Sequence, residues 1–188
     1  SKSLGNFAML KDLFNSYHPE VIRYYLISSH YRSSLNFDNE SLDQARASLS
    51  RIYQALSKAS EKSNYLHNES VEEFNNAMND DLNTPEALSV LFKLVKLING
   101  TSNKKDQAKY KHTINELSST LGLLNENPET FFQYGTNLSD DEINEKIKTR
   151  NKARKSKDFQ LADKIRDDLA AQGILLDDSS DGTTWKKY

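Results

Sequence analysis

From Lys146 to Lys157 the chain carries Lys146, Lys148, Arg150, Lys152, Arg154, Lys155 and Lys157, with no acid between them. Directly after this run come Asp158 and Phe159, and further on Asp177, Asp178 and Trp185. Cations neutralise phosphates, an exposed aromatic ring stacks on bases, and carboxylates accept from base amino groups. Such a mixture is the chemistry of a nucleic-acid surface. It is equally the chemistry of a solvated basic helix packed on a small hairpin, because most charge runs are solvated faces. Arg150, Arg154 and Lys157 are spaced i, i+4, i+7, which places them on one helical face.

The elements holding these residues can be read around them. Ser139-Asp140-Asp141-Glu142 is a capping box that opens the basic helix, which runs to about Ser156. Leu161, Ala162, Ile165 and Leu169 then trace a second helix, stopped at Gly173, a residue suited to the left-handed turn that ends helices. Ile174-Leu175-Leu176, the turn Ser179-Ser180-Asp181-Gly182 and Thr183-Thr184-Trp185 read as a terminal hairpin.

Upstream, the chain is a series of helices. A short one is expected from Met9 to Tyr17, ended at His18-Pro19. Glu20 to Ser29 is apolar nearly all round, which predicts burial between layers. Tyr31 and Arg32 follow in a loop, suited to meeting a phosphate or, the preferred reading, to capping the helix. Asn39 to about Lys62 has the clearest pattern, with Leu42, Ala45, Leu49, Ile52, Leu56 and Ala59 forming a bundle seam. Asn64 to Ser70 reads as a polar linker and Glu72 to Asn79 as a helix, with Phe74, Ala77 and Met78 inward. Asp80 and Asp81 are assigned to capping, Thr84 to an N-cap and Pro85 to the first helical position. The helix after Pro85 buries Ala87, Leu88, Leu91, Leu94, Val95 and Ile98. Lys104 to Leu121 is a further helix, with Tyr110, Ile114, Leu117 and Leu121 inward, and Gly122 to Asn137 an irregular linker bearing Phe131, Phe132 and Tyr134.

Composition bounds the function. With 188 residues and a net charge of −2, no global field draws in nucleic acid, so any attraction is local. Six Gly and three Pro are too few for a turn-rich all-β fold. The expected fold is mainly α: a helical bundle with a small C-terminal α/β module ending in a β-hairpin. No apolar run of about 18 residues is present, so no membrane span is expected. No secretory signal is seen, and the absence of cysteine excludes disulfides and thiolate metal sites, which fits a cytoplasmic protein. His18, His30, His67 and His112 lack ligand spacing, so no metal site is expected. The opening Ser1-Lys2-Ser3, without an initiator methionine, reads as a fragment or a processed chain.

Four segments, in this order, carry a resemblance to the cysteinyl-tRNA synthetases, a family of class I aminoacyl-tRNA synthetases. Ser1-Lys2-Ser3-Leu4-Gly5-Asn6 resembles the end of the Lys-Met-Ser-Lys-Ser signature loop and its extension. Val21 to Phe37, VIRYYLISSHYRSSLNF, is similar to the segment after that loop, and Phe74 to Pro85, FNNAMNDDLNTP, to a family motif. Ala153 to Trp185, ARKSKDFQLADKIRDDLAAQGILLDDSSDGTTW, is similar to the terminal segment of the bacterial enzymes.

The resemblance implies that Lys2 assists ATP during adenylate formation, and that Arg154, Asp163 and Asp178 stand at positions that read anticodon bases. Phe159 stands where many members have Trp, a smaller surface for stacking. Lys146, Lys148, Lys152 and Lys155 are then expected on tRNA backbone phosphates. The implied divisions are 1–6, the end of the signature loop, 7–137, stem contact and helical bundle, and 138–188, an anticodon-recognition module. The His-x-Gly-His signature and the Cys/His zinc site of the family are absent, as are the Lys and Met that begin its loop. No catalytic residue is therefore assigned, and the chain alone is expected to be inactive, with no cofactor of its own. ATP, Mg and Zn are implied for the full-length enzyme, and tRNA(Cys), ATP and cysteine as partners of a monomer. The alternatives are a related cysteine ligase acting on an amino sugar, against which the basic helix, Phe159 and the aspartates count, and a non-enzymatic helical interaction module.

Overall fold

The computed structural model describes residues 13–59, 61–135, 138–179 and 182–187. Lys2 and nearly all of the helix expected from Met9 lie outside them; of that segment, Leu13 is helical and buried, and a turn leads from it to Tyr17. The chain divides into two compact units, Ser1–Pro128 and Glu129–Tyr188.

In the first unit α1 spans Pro19–Ile27, capped by the His18 ring, whose Nδ1 accepts the Glu20 N–H at 3.1 Å. Val21, Ile22, Tyr24 and Tyr25 are buried, but Leu26 is 57% exposed, so α1 has an open face and is not wrapped on all sides. Helix α2, Asn39–Lys58, starts on the Asp38 carboxylate, which accepts the Ser41 N–H at 2.7 Å. Leu42, Ala45, Leu49, Ile52, Leu56 and Ala59 are all buried, as their three-and-four spacing requires. The helix stops four residues short of Lys62, because Ala59 adopts an extended backbone and its carbonyl accepts Lys111 Nζ at 2.8 Å.

Helix α3 covers Asn68–Asn79, so it takes over part of the expected polar linker. The reason is tertiary: the His67 N–H donates to Thr113 Oγ1 on another helix at 2.9 Å, fixing the start of α3. The turn after it holds Asp81 and Leu82 at φ +53° and +54°. Asn83, rather than Thr84, caps α4 (Thr84–Gly100), its side chain accepting the Glu86 N–H at 3.3 Å. Asp81 caps nothing; it receives the Tyr31 hydroxyl at 2.7 Å and Arg32 Nη2 at 3.1 Å, and Arg32 is thereby not a helix cap. Ala87, Leu88, Leu91, Leu94, Val95 and Ile98 face inward on α4. They meet the inward face of α5 (Lys104–Thr120), where Ile114 and Leu117 are buried and Tyr110 is only half-buried. Buried Glu20 ties the unit together, accepting Tyr53 Oη at 2.6 Å and the Asn125 N–H at 2.7 Å.

Pro128–Gln133 forms a short helix, α6, where an irregular linker was expected. Pro128 at its first position has its φ preset for a helix, and Glu129 sits favourably at the positive end.

In the second unit α7 runs Asp140–Lys155 and α8 runs Phe159–Ala170. The Ser139 capping box forms as expected: its Oγ accepts the Glu142 N–H at 3.3 Å, and its own N–H donates to Glu142 Oε2 at 2.9 Å. Gly173, at φ +77°, turns the chain into β1, Ile174–Ser179, which pairs antiparallel with β2, Gly182–Lys187. Leu176 lies opposite Trp185 and Asp178 opposite Thr183. The hairpin packs on the two helices through Ile143, Ile147, Leu169, Ile174 and Trp185, with Leu138, Ile165 and Leu176 around them. A two-stranded hairpin is marginal alone, so this shared core is what holds it.

Leu49 is 0% exposed at the middle of the α2 seam. Leu49→Ala should destabilise the bundle by about 2–5 kcal/mol in chemical denaturation, by lost transfer energy and a residual cavity. A cost below about 0.5 kcal/mol would show that the seam is not a core.

Candidate nucleic-acid interface

The inward stripe of α7 is Ile143, Ile147, Arg150 and Arg154, at i, i+4, i+7 and i+11. Its first half is apolar and its second half cationic. Opposite, β1 places Ile174, Leu176 and Asp178 on one face, because strand side chains alternate. The apolar halves meet in the core, and the polar ends meet each other.

Arg150, only 6% exposed, grips Asp178 with two parallel bonds, Nη1 to Oδ1 at 2.9 Å and Nη2 to Oδ2 at 2.7 Å. Thr183, across the hairpin, donates its hydroxyl to Asp178 Oδ1 at 2.7 Å and accepts Asn151 Nδ2 at 3.3 Å. Arg154 adds a third cationic donor, Nη1 to Asp178 Oδ2 at 2.8 Å, from a half-exposed side chain. The Arg150 guanidinium, then the Thr183 hydroxyl, hold the Asp178 carboxyl well below the usual carboxylate range. Asp178 in turn raises the Arg150 pKa, with Asp163 adding through space. Asp163 itself is exposed on α8 and pairs with Arg166 at 3.4 Å.

Phe159 stands at the first position of α8, 60% exposed. Three residues separate the helices: Lys157 turns the chain at φ +62°, and Asp158 caps α8 by accepting the Leu161 N–H at 3.1 Å. The ring is thus held on an ordered helix start with open faces, suited to stacking under an unpaired base.

The cations on α7 separate into two kinds. Lys148, Lys152 and Lys155 share the exposed face opposite the core stripe, where Lys148 pairs with Glu145 at 2.7 Å. Lys146 lies on a flank and is partly buried. The expected common face of Arg150, Arg154 and Lys157 does not form: Arg150 is buried on Asp178, and Lys157 lies beyond the end of α7. The structure therefore brings Arg154 to Asp178, with Asp163 acting through space on Arg150, and leaves Phe159 and the outer lysines separate. Sequence reasoning placed Arg150 on a cationic face without its partner, and did not single out Asn151 or Thr183. The signal for Arg150 was present, since it stands three residues after buried Ile147 on the same stripe.

Among the described residues no group of His, Cys, Asp or Glu converges to hold a metal, and the chain has no cysteine.

A carboxyl whose pKa is depressed by folding adds stability above its unfolded pKa, about 3.9, and loses it as pH falls below that value. The contribution of Asp178 is thus present at neutral pH and lost under acid. Trp185 is the sole tryptophan and lies in this unit's core, so its fluorescence reports this unit. Asp178→Asn should lower the unit's stability at pH 7 and converge with the parent as pH falls below about 4. Equal stability of the two at pH 7 would show that the pair is idle.

Residues 73–125 match the DALR domain, and residues 1–47 match the tRNA synthetases class I (C) catalytic domain. The whole chain is 44% identical over 191 residues to a cysteine–tRNA ligase of Hydrogenovibrio crunogenus, of which it covers 41%. It is 46% identical over 191 residues to that of Aliivibrio fischeri, covering 41%, and 44% over 193 residues to that of Haemophilus influenzae strain PittGG, covering 42%. All of this chain lies within each match, so it spans about two fifths of the length of these relatives. With residues 73–125 on the DALR domain and all 188 residues aligned, the chain matches the C-terminal part of the cysteine–tRNA ligases.

Proposed function

We propose that this chain is the tRNA-binding part of a cysteine–tRNA ligase, whose whole reaction is ATP-dependent activation of cysteine followed by ester transfer to tRNA(Cys). The observation that carries this reading is the extent of the similarity. It runs through all of the chain, including the basic helix and the hairpin, instead of through one exchangeable domain. The same observation speaks against an amino-sugar ligase or a purely structural helical module, neither of which requires this tail.

In this reading residues 138–188 recognise the anticodon and 7–137 support the tRNA stem, while 1–6 end a loop of the nucleotide-binding domain. Lys148, Lys152 and Lys155 neutralise backbone phosphates from the outer face of α7, with Lys146 at its flank; this sets affinity without sensing sequence. Phe159 stacks on an unpaired base. Arg154 donates to a base edge, and Asp163 and Asp178 accept from base N–H groups. The geometry supports a division within this set. Arg150 and Thr183 anchor Asp178 from behind, whereas Arg154 is half-exposed and makes one bond to it, so Arg154 can turn to a base without uncovering a buried charge. Lys2 assists ATP phosphates as a point charge. No helix among the described residues is long and apolar enough to cross a membrane. The working protein is a monomer of the cytoplasm in this reading.

Binding of the chain to cognate tRNA and to tRNAs with single anticodon substitutions, at two salt concentrations, tests these roles. Lys152→Ala should weaken all tRNAs alike and lower the salt slope by about one. Arg154→Ala and Asp163→Asn should narrow the gap between cognate and substituted tRNA. An unchanged gap in both would remove base reading from this tail. Phe159→Ala should cost about 1–3 kcal/mol of binding and Phe159→Trp should strengthen it. Separately, the chain alone should give no cysteine-dependent ATP–pyrophosphate exchange above background, since it lacks the nucleotide-binding signature; exchange by the purified chain would refute this.

A further inference from the structure

A second surface with nucleic-acid chemistry lies in the first unit, away from any residue used above. A cleft of about 770 Å³ opens between the loop before α3 and the start of α5, lined by Glu61, Lys62, Ser63, Asn64, Tyr65, Lys105, Asp106 and Lys109. Tyr65 stands at its lip, 79% exposed. The loop that carries it is ordered by its own bonds. The Tyr65 N–H donates to Ser63 Oγ at 3.0 Å, and two residues on the His67 N–H is anchored to Thr113 Oγ1. The Tyr65 ring and hydroxyl have no hydrogen-bond or ring partner among the described residues, so the phenol is open to a ligand.

Some surface lysines are neutralised by a neighbouring carboxylate, and two of the three in the cleft are not. Lys93 is held by Glu73 and Lys148 by Glu145, each at under 3 Å. Lys62 and Lys105 have no carboxylate within ion-pair distance among the described residues, and Lys109 meets Asp106 only at 3.7 Å. Glu61 lines the same cleft but pairs with none of them, so the wall keeps a positive excess. Lys104 and Lys105 also occupy the first turn of α5, the end where aligned peptide dipoles disfavour a cation. Asp106 in the same turn offsets part of that cost, and an anion in the cleft would offset more.

We infer that this cleft is a further tRNA contact, with Lys62, Lys105 and Lys109 on backbone phosphates and Tyr65 stacked on an unpaired base or against a ribose. Two unpaired cations and a weakly paired third beside an exposed ring match the composition of a single-stranded or loop RNA surface. The contact senses charge and stacking only, so it adds affinity without discriminating anticodons. The inference rests on the tRNA reading above.

The test is a salt series of tRNA binding by the full chain. Lys62→Ala/Lys105→Ala/Lys109→Ala should weaken binding about tenfold or more at low salt and reduce the salt slope by about two to three, with the ratio of cognate to anticodon-substituted tRNA unchanged. Tyr65→Ala should weaken it about fivefold or more while Tyr65→Phe retains affinity. Lys93→Ala, at a lysine already held by a carboxylate, is the control and should leave the slope as it is. All these side chains except half-exposed Lys109 are exposed, so melting temperatures should match the parent. Parental affinity and slope in the triple variant, with Lys152→Ala still impaired, would overturn the cleft alone. An absence of tRNA binding by the unaltered chain would overturn the tRNA reading and this inference together.

Discussion

The C-terminal unit depends on the pair between Arg150 and Asp178. A guanidinium taken out of water is costly unless a carboxylate meets it with matched geometry. Here both nitrogens find both oxygens, and Thr183 occupies a further position on the carboxylate. The pair sits where the apolar stripe of α7 and the inward face of β1 both run out. It therefore sets the register of hairpin on helix: a slip by one residue would turn Asp178 to solvent and leave Arg150 buried without a partner. The five-residue core supplies cohesion without direction, and this pair supplies the direction.

The same pair shapes what the unit can offer a ligand. With Arg150 committed to Asp178, the carboxylate is held charged and oriented. Arg154, one turn further along the stripe, leans on the remaining side of that carboxylate from the solvent edge. Phe159 follows after a three-residue turn whose cap keeps the ring at a helix start. One short segment of helix–turn–helix thus delivers a cation and an exposed ring beside the fixed anion that β1 supplies, while the lysines on the outer face of α7 add charge without geometry.

In the first unit a buried carboxylate does comparable work. Glu20 accepts from Tyr53 on α2 and from the backbone of Asn125 beyond α5, so α1, α2 and the chain after α5 share one polar node. Burial, with the Glu20 bond added, raises the Tyr53 phenol pKa and keeps it a donor. The turn at Asp81 and Leu82 is a second link. Two successive residues in the left-handed region are tolerated there because Asp81 receives both Tyr31 and Arg32 from the α1–α2 loop. The link joins a segment matching the class I catalytic domain to one matching the DALR domain.

Periodicity and capping chemistry were legible without a structure. The α2 seam from Leu42 to Ala59, the inward face of α4, the Ser139 capping box, the Gly173 stop and the terminal hairpin follow from spacing, from a hydroxyl three residues before Glu142, and from glycine's freedom at positive φ. Those features are local, and local sequence suffices for them. The order of motifs along the chain also pointed to its relatives. Tertiary structure decided the rest. Ala59 leaves the helix for Lys111, α3 begins early because His67 is tied to Thr113, and Asp81 serves Tyr31 and Arg32 where capping was expected. Above all, Arg150 looked like one more surface cation in a basic run. Whether a charge is solvated or buried depends on what lies across from it, and Asp178, twenty-eight residues away, comes opposite Arg150 only when the hairpin folds back onto α7.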